Sequence, residues 1–325
     1  MVNQKWWLYQ KGTTTRVSGG GGGNYVLNTS QYALKDSSGK NFSQWFGNYV
    51  ATKFAKPNPA IAGIYTDNFT WKPIEDGDWN RDGRIDSKNS TTVQAWYRQG
   101  YKQYLDALNT AMPGKYRLVN LADWGHSNSV LTEYTGRVHG GVIESIIGRS
   151  WSYESPLGFT GMMKAYRRTM GALAAPKLGI FSQSGSITDY QGFRYGFTSC
   201  LMDDGYYSFN NNAKTYSGVN WFDEFNHNLG SATKPPQMSA WQNGVYRRGF
   251  QDGIALVNPK GNGTRTITLE RDFRTIKGTQ APGVNSGKIV RKVTLKDRDG
   301  IILLRTGTST IQAPAAPEGF VIEGN

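Results

Sequence analysis

The stretch "IAGIYTDNF" (61–69) passes from apolar to acidic, and "TTVQAWYRQGYKQYLDALNTAM" (91–112) follows it with apolar residues at helical spacing. A short apolar run that ends in a polar loop and leads into a helix reads as the opening of a strand–helix–strand unit. The pattern recurs on both sides. "KWWLYQKG" (5–12), "YRLVNLADW" (116–124), "GGVIESIIG" (140–148), "KLGIFSQSG" (177–185) and "SCLMDDGYYSF" (199–209) are short apolar segments that end in polar or acidic residues. "FTGMMKAYRRTMGALAA" (159–175) is a second helix-like stretch. About six strand–helix units are expected, which argues for an α/β fold with parallel strands.

The texture changes near "KPPQMSAWQNG" (234–244). "VYRRGF", "GIALVNP", "RTITL", "KIVRKVTL" and "GIILLR" then follow one another, separated by Gly, Asn and Pro turns and with no long helical pattern between them. This predicts an α/β domain over 1–236 and a small antiparallel β-domain, read as a sandwich, over 237–325.

The chain has 325 residues, a formal net charge of +13, 40 glycines and 13% aromatic residues. That length can hold one large domain and a smaller one. The aromatic and glycine content implies many loops and stacking surfaces, a bias shared with sugar-binding proteins. Lys and Arg are scattered with no basic run, which argues against a nucleic-acid partner and for general surface charge. Cys200 is the sole cysteine, so no disulfide forms within the chain. No apolar run reaches membrane-spanning length, so no membrane partner is expected, and "MVNQKWWLYQKG" does not read as a signal peptide. "SGGGGGN" (18–24) lacks the Lys-Ser/Thr of a phosphate loop and reads as a flexible loop.

One segment runs against the basic background. "DGDWNRDGRIDSKN" (76–89) carries four aspartates, Asp76, Asp78, Asp82 and Asp86. Calcium takes hard oxygen ligands, and an EF-hand-type loop supplies them at positions 1, 3, 5, 7, 9 and 12 with glycine at 6. Counted from Asp78, those positions are Asn80, Asp82, the Arg84 carbonyl, Asp86 and Asn89, with Gly83 sixth. Asn89 is a weak last ligand where a bidentate Glu is usual, and Glu75 and Asp76 stand close enough in sequence to substitute. The match is incomplete, and the loop resembles the calcium loops of dockerins more than those of calcium sensors. A structural calcium is expected, with no part in bond breaking; the competing reading is a solvated polar loop.

In barrels of alternating strands and helices, functional residues cluster at the carboxyl ends of the strands. The acids expected there are Asp67, Asp123, Glu144, Asp203 and Asp204. Acids converging at one rim with aromatic rings between them suit glycoside hydrolysis, in which one carboxylate attacks or activates water and another protonates the leaving oxygen. Trp71, Trp79, Trp124, Trp151 and Tyr153 are candidate stacking rings, each with a competing reading as core. There is no Gly-x-Ser-x-Gly elbow and no zinc-type His pair; His126, His139 and His227 are scattered.

"GIYTDNF", "DWNRDGRID", "VNLADW", "GGVIESIIG", "CLMDDGYYSF" followed by "WFDEFNHNLG", and "RRGFQDGIALVNP…RDGIILL" together resemble a family of bacterial glycoside hydrolases with a (β/α)8 barrel followed by a small β-sandwich. The resemblance covers nearly the whole chain in order. It implies a TIM-type (β/α) barrel with a C-terminal antiparallel β-domain, a carbohydrate substrate and an extracellular or cell-surface location. Family members carry two more strand–helix units before the segment matching "KWWLYQ". By this resemblance the chain begins near the third strand and the barrel is incomplete at its N-terminus: the gene product is truncated, or a partner chain or second copy supplies the missing strands, or the sheet stays open.

On that count "IYTDNF" is the fourth strand and "GVIESI" the sixth. Similarity to barrel glycosidases of the α-galactosidase clan then implies Asp67 as nucleophile and Glu144 as general acid/base. Asn68, Asn120, Asp123, Asp203 and Asp204 would hold hydroxyl groups, and Trp71, Trp124 and Trp151 would meet sugar rings. Glu224 in "WFDEF" reads as structural. The reading that follows is a hydrolase of O-glycosidic bonds in a polysaccharide or oligosaccharide. Its rival is a non-catalytic carbohydrate-binding or structural protein derived from the same fold.

Overall fold

The computed structural model describes residues 4–11, 15–19, 23–121, 124–126, 131–211 and 220–307. The chain divides into two compact units: residues 1–143 with 165–179, and residues 144–164 with 180–325. The boundary expected at 236/237 falls inside the second.

In the first unit, α1 (Phe42–Val50) opens on a capping box in which Asn41 and Gln44 satisfy each other's backbone N–H groups. β1 (Gly63–Thr66) and β2 (Tyr116–Asn120) are parallel, with Thr66 opposite Val119. Between them lies α2 (Thr91–Ala111), whose buried Val93, Tyr97, Tyr104, Leu105 and Leu108 recur at helical spacing and give it one apolar face. β3 (Gly140–Ile147) is parallel to β2, with Asn120 opposite Val142. β3 and β4 (Leu178–Gly185) each run on into the second unit.

"KWWLYQKG" is not a parallel strand. Gln4–Trp6 is a short 3-10 turn, and Trp7 and Tyr9 make isolated antiparallel bridges to Leu27 and Arg16. The apolar Leu8 and Val17 of this arm pack with Trp79, Val93 and Tyr97.

In the second unit, α3 (Glu154–Ala172) kinks at Gly158. β4 is parallel to β5 (Tyr206–Asn211), with Ser184 opposite Asn210. α4 (Tyr190–Leu201) connects them. The C-terminal strands β6 (Tyr246–Gly249), β7 (Gly253–Asn258), β8 (Arg265–Thr275), β9 (Ile289–Leu295) and β10 (Asp299–Arg305) form one antiparallel sheet in the order β6-β7-β10-β8-β9.

Two expectations are corrected here. Five parallel strands are present among the described residues rather than six, and no pairing among them closes a barrel. Among the described residues the strands of the β-domain form one sheet with a helix on it, rather than two packed sheets. α4 lies against β7 and β10. A Cβ on Gly300 of β10 would stand 1.9 Å from Thr198 Oγ1 of α4, so this contact needs glycine. The alternate residues of the same strands, Ile254, Leu256, Ile301 and Leu303, join Ile267, Phe273 and Val293 in the sheet's own core. Both faces of β7 and β10 are therefore covered. That explains why "GIALVNP" and "GIILLR" are continuously apolar instead of alternating.

Glu224 lies in the short 3-10 turn Asp223–Asn226. It is buried and accepts a hydrogen bond from Asn285 Nδ2 at 2.9 Å. Burial raises its carboxyl above the ordinary 4.5, against the pull of the Asn285 amide. A raised folded value means that its contribution to stability is fully present below the unfolded value and is lost as pH rises through the folded one. Glu224→Gln is therefore expected to melt higher than the parent at neutral pH. The gap should close as pH falls to about 4, where both side chains are neutral. Equal melting curves at neutral pH would show that no penalty is carried there.

Candidate active site

Asp67 follows β1 directly and is exposed. Its Oδ1 accepts from Asn120 Nδ2, at the end of β2, at 3.1 Å, and its Oδ2 accepts from Asn68 Nδ2 at 3.4 Å. Two amides orient the carboxylate and leave lone pairs for a substrate. Asn68 has φ 51°, a left-handed conformation that non-glycine residues seldom adopt. Beside Asp67 opens a groove of about 620 Å³ lined by Phe46, Phe54, Ile64, Tyr65 and Tyr104. Phe54 and Tyr65 are exposed within it. The Tyr104 hydroxyl is 2.8 Å from Thr66 Oγ1, and burial pushes this phenol up to about 12, so it stays a neutral donor. A smaller cavity of about 320 Å³ lies on the Asn68 side, lined by Thr29, Thr70, Trp79 and Tyr97 among others.

The long connection from Asp67 to α2 includes the acidic segment. Asp78 Oδ2 accepts the Gly83 N–H at 3.0 Å, and Asp86 Oδ2 accepts from the backbone N–H groups of Trp79 at 2.9 Å and Asn80 at 3.3 Å. Burial raises the Asp86 carboxyl; those two N–H groups oppose the shift and the charges of Asp82 and Asp78 add to it. Asp76 Oδ1 accepts the Lys88 N–H at 2.7 Å, so it ties down the end of the segment. Among the described residues, no three His, Cys, Asp or Glu side chains stand gathered as a ready metal cage.

In the second unit, Glu144 is half-buried on β3, alternating with buried Ile143 and Ser145. Ser145 has φ 46°, again left-handed. Its Oγ lies 2.6 Å from Ser184 Oγ on β4, and its carbonyl accepts from Ser152 Oγ at 2.7 Å. Asn210 on β5 donates to Ser182 Oγ at 3.3 Å. The buried serines 145, 182 and 184 and the half-buried Asn210 make a polar strip across β3, β4 and β5. Sequence reasoning missed this strip. The signal was present in "GIFSQSG", where hydroxyls occupy positions of a strand otherwise buried.

Asp203 and Asp204 are not at a strand's carboxyl end. The apolar run before them, "GFTSCLM", completes α4, and the two acids occupy the turn that leads into β5, at its amino end. Asp204 Oδ1 instead accepts from Arg248 Nη2 at 2.6 Å, and the Asp203 carbonyl accepts from Arg248 Nη1. They hold the turn to β6. Trp124 is buried against Phe69 and Tyr134 and donates from Nε1 to the Phe69 carbonyl at 3.0 Å. It supports the loop after Asp67 and offers no face. Trp79 and Tyr153 are likewise buried. Trp71 is half-buried, with its Nε1 unpartnered among the described residues and the Lys72 ammonium 5.3 Å from its ring. Trp151 is 49% exposed and keeps a free face. Asp123 lies outside the described residues.

These observations define an α/β protein that presents an oriented acid at the end of one parallel strand and a second acid on another. Residues 2–254 match the model of hypothetical glycosyl hydrolase family 15, and the chain belongs to that family. No curated protein matches it. Among solved structures it is similar to an Anoxybacillus α-amylase (TM-score 0.41, 10% identity, 82% of this chain and 64% of that one). It is similar also to a β-L-arabinopyranosidase of family GH27 from Geobacillus stearothermophilus (TM-score 0.43, 8% identity, 91% and 65%). The chain thus spans somewhat under two thirds of the length of these structures. No helix among the described residues is long and apolar enough to cross a membrane.

Proposed function

We propose that the protein is a glycoside hydrolase that cleaves O-glycosidic bonds in an oligosaccharide or polysaccharide, with Asp67 as nucleophile and Glu144 as general acid/base. In the first step Asp67 attacks the anomeric carbon while Glu144 gives its proton to the departing oxygen. In the second, Glu144 takes a proton from water as that water displaces Asp67.

The observation that carries this reading is local and occurs twice. Five non-glycine residues among those described have positive φ, and two of them, Asn68 and Ser145, directly follow the two acids. Such conformations cost about 1–3 kcal/mol each and persist where surrounding structure holds them, commonly at active sites. Ser145 is held by Ser184 and Ser152, and Asn68 by its bond to Asp67. The aromatic groove beside Asp67 and the exposed ring of Trp151 supply apolar faces of the kind that sugar rings stack on.

The test is release of reducing ends from a panel of polysaccharides and aryl glycosides. Turnover by the parent and none by Asp67→Asn supports the proposal. Glycan binding with no turnover by the parent would replace it with a carbohydrate-binding role.

A further inference from the structure

We propose that the connection between β1 and α2 binds one calcium ion through Asp78 Oδ1, Asn80, Asp82, the Arg84 carbonyl, Asp86 and Asn89. The ion is structural. It fixes the loop that follows Asp67 and takes no part in bond breaking.

Asp78 points to the ligand. It is only 7% exposed. One carboxylate oxygen accepts the Gly83 N–H from the middle of the loop, so the group is aimed inward. The other, Oδ1, is buried with no hydrogen-bond partner among the described residues. A buried carboxylate oxygen with no donor is costly, and a cation removes that cost.

The backbone of the loop carries the turns that such a site needs. Gly83, at the sixth position, has φ 85°, the sharp turn that calcium loops require there. A Cβ on it would meet nothing within 4 Å, so conformation rather than space selects glycine. Asn80 Oδ1 accepts the Asp82 N–H at 3.0 Å and Asp82 Oδ1 accepts the Arg84 N–H at 2.9 Å, which curl the chain around Asp78. Asp82, Gly83 and Arg84 are exposed, leaving the ion a way in. Asp86 Oδ2 is engaged by backbone N–H groups, which fits a ninth-position ligand that reaches the metal through water.

The donors are all oxygens, with no Cys or His, which favours calcium over zinc or copper. Irregular spacing along a turn suits calcium's six to eight ligands better than magnesium's strict octahedron.

The loop is rooted in the core. The Asp78 N–H bonds to the Tyr9 carbonyl, and buried Trp79 accepts at its carbonyl from Asn28 and Ser30. Binding at Asp78 is therefore coupled to the packing of the whole first unit.

The experiment is equilibrium dialysis of the chelator-stripped protein against calcium chloride, with melting curves in calcium, magnesium and EDTA. One calcium per chain is expected, with a dissociation constant at or below about 10⁻³ M. The melting midpoint should rise in calcium and not in an equal concentration of magnesium. Asp82 is exposed, so Asp82→Ala should fold and should bind calcium about tenfold or more weakly. No bound calcium at millimolar free ion would overturn the proposal. So would binding that is undiminished in both Asp82→Ala and Asp78→Ala. Neither outcome bears on glycan turnover, which is tested separately through Asp67.

Discussion

Glu144→Gln is expected to lower kcat/KM on a glycan with a poor leaving group by about 10²–10⁴-fold, the usual contribution of a positioned proton donor. Gln keeps the size of Glu and cannot give up a proton. The loss should shrink on aryl glycosides whose leaving group departs without protonation, because the first step then needs no acid. Asp67→Asn should behave differently. It removes the attacking group itself, so its loss should persist whatever the leaving group. Two variants and two substrates therefore separate the roles as well as testing them. A nucleophilic Asp67 also requires retention of anomeric configuration, readable by NMR of the first product; inversion would make Asp67 a base that activates water. A Glu144→Gln enzyme as fast as the parent on unactivated glycan would end its assignment as the acid.

The parts of the fold that sequence reasoning reached are those whose pattern is complete within one segment. "TTVQAWYRQGYKQYLDALNTAM" carries a full helical stripe, and α2 occupies all but its last residue. "GIYT", "YRLVN" and "GGVIESII" are strands because short apolar runs bounded by turns have few alternatives. The errors occur where the partner decides. "KWWLYQKG" is as apolar as β1, yet it pairs with the chain's own residues 16 and 27 as an antiparallel arm. "SCLMDDG" lies across a helix end and a turn, and its few apolar residues do not reveal which. The second layer over β7 and β10 was sought downstream, whereas α4 supplies it from before the expected boundary. The candidate site divides in the same way. Asp67, Asn68 and Asn120 could be found because they end strands, and the structure joins them by hydrogen bonds. The serines of "GIFSQSG" gave a hint of the polar strip, but neither its partners on β3 and β5 nor the left-handed turn at Ser145 could be found, since a serine inside a strand reveals neither its φ nor its partner.

Arg194→Ala is expected to destabilise the second unit by about 3–5 kcal/mol, the cost of leaving one member of a buried ion pair alone. Arg194 lies on α4 and Asp299 opens β10; both side chains are nearly inaccessible, with Nη2 to Oδ1 at 2.9 Å. Arg194 Nε also donates to Asp299 Oδ1 and to the Gly300 carbonyl, and the Gly300 N–H donates back to Asp299 Oδ1. The guanidinium therefore fastens the helix to the sheet at the place where Gly300 lets them meet. Burial already holds the Asp299 carboxyl above its ordinary 3.8, even with Arg194 pulling it down. Without Arg194 only the Gly300 N–H and the Lys296 charge oppose that burial, and the ionised form becomes the more expensive one. The sign of the pH effect follows. The variant's deficit should be largest at neutral pH, where unfolding frees an ionised Asp299, and should shrink as acid neutralises that carboxyl in both states. Urea melts of the parent, Arg194→Ala and the double variant Arg194→Met with Asp299→Asn measure this directly. The double variant removes both charges and keeps an acceptor for Gly300, so it should recover much of the loss. If the single and double variants were equally unstable, the lost term would be packing of the arginine stem against the sheet and not an orphaned charge.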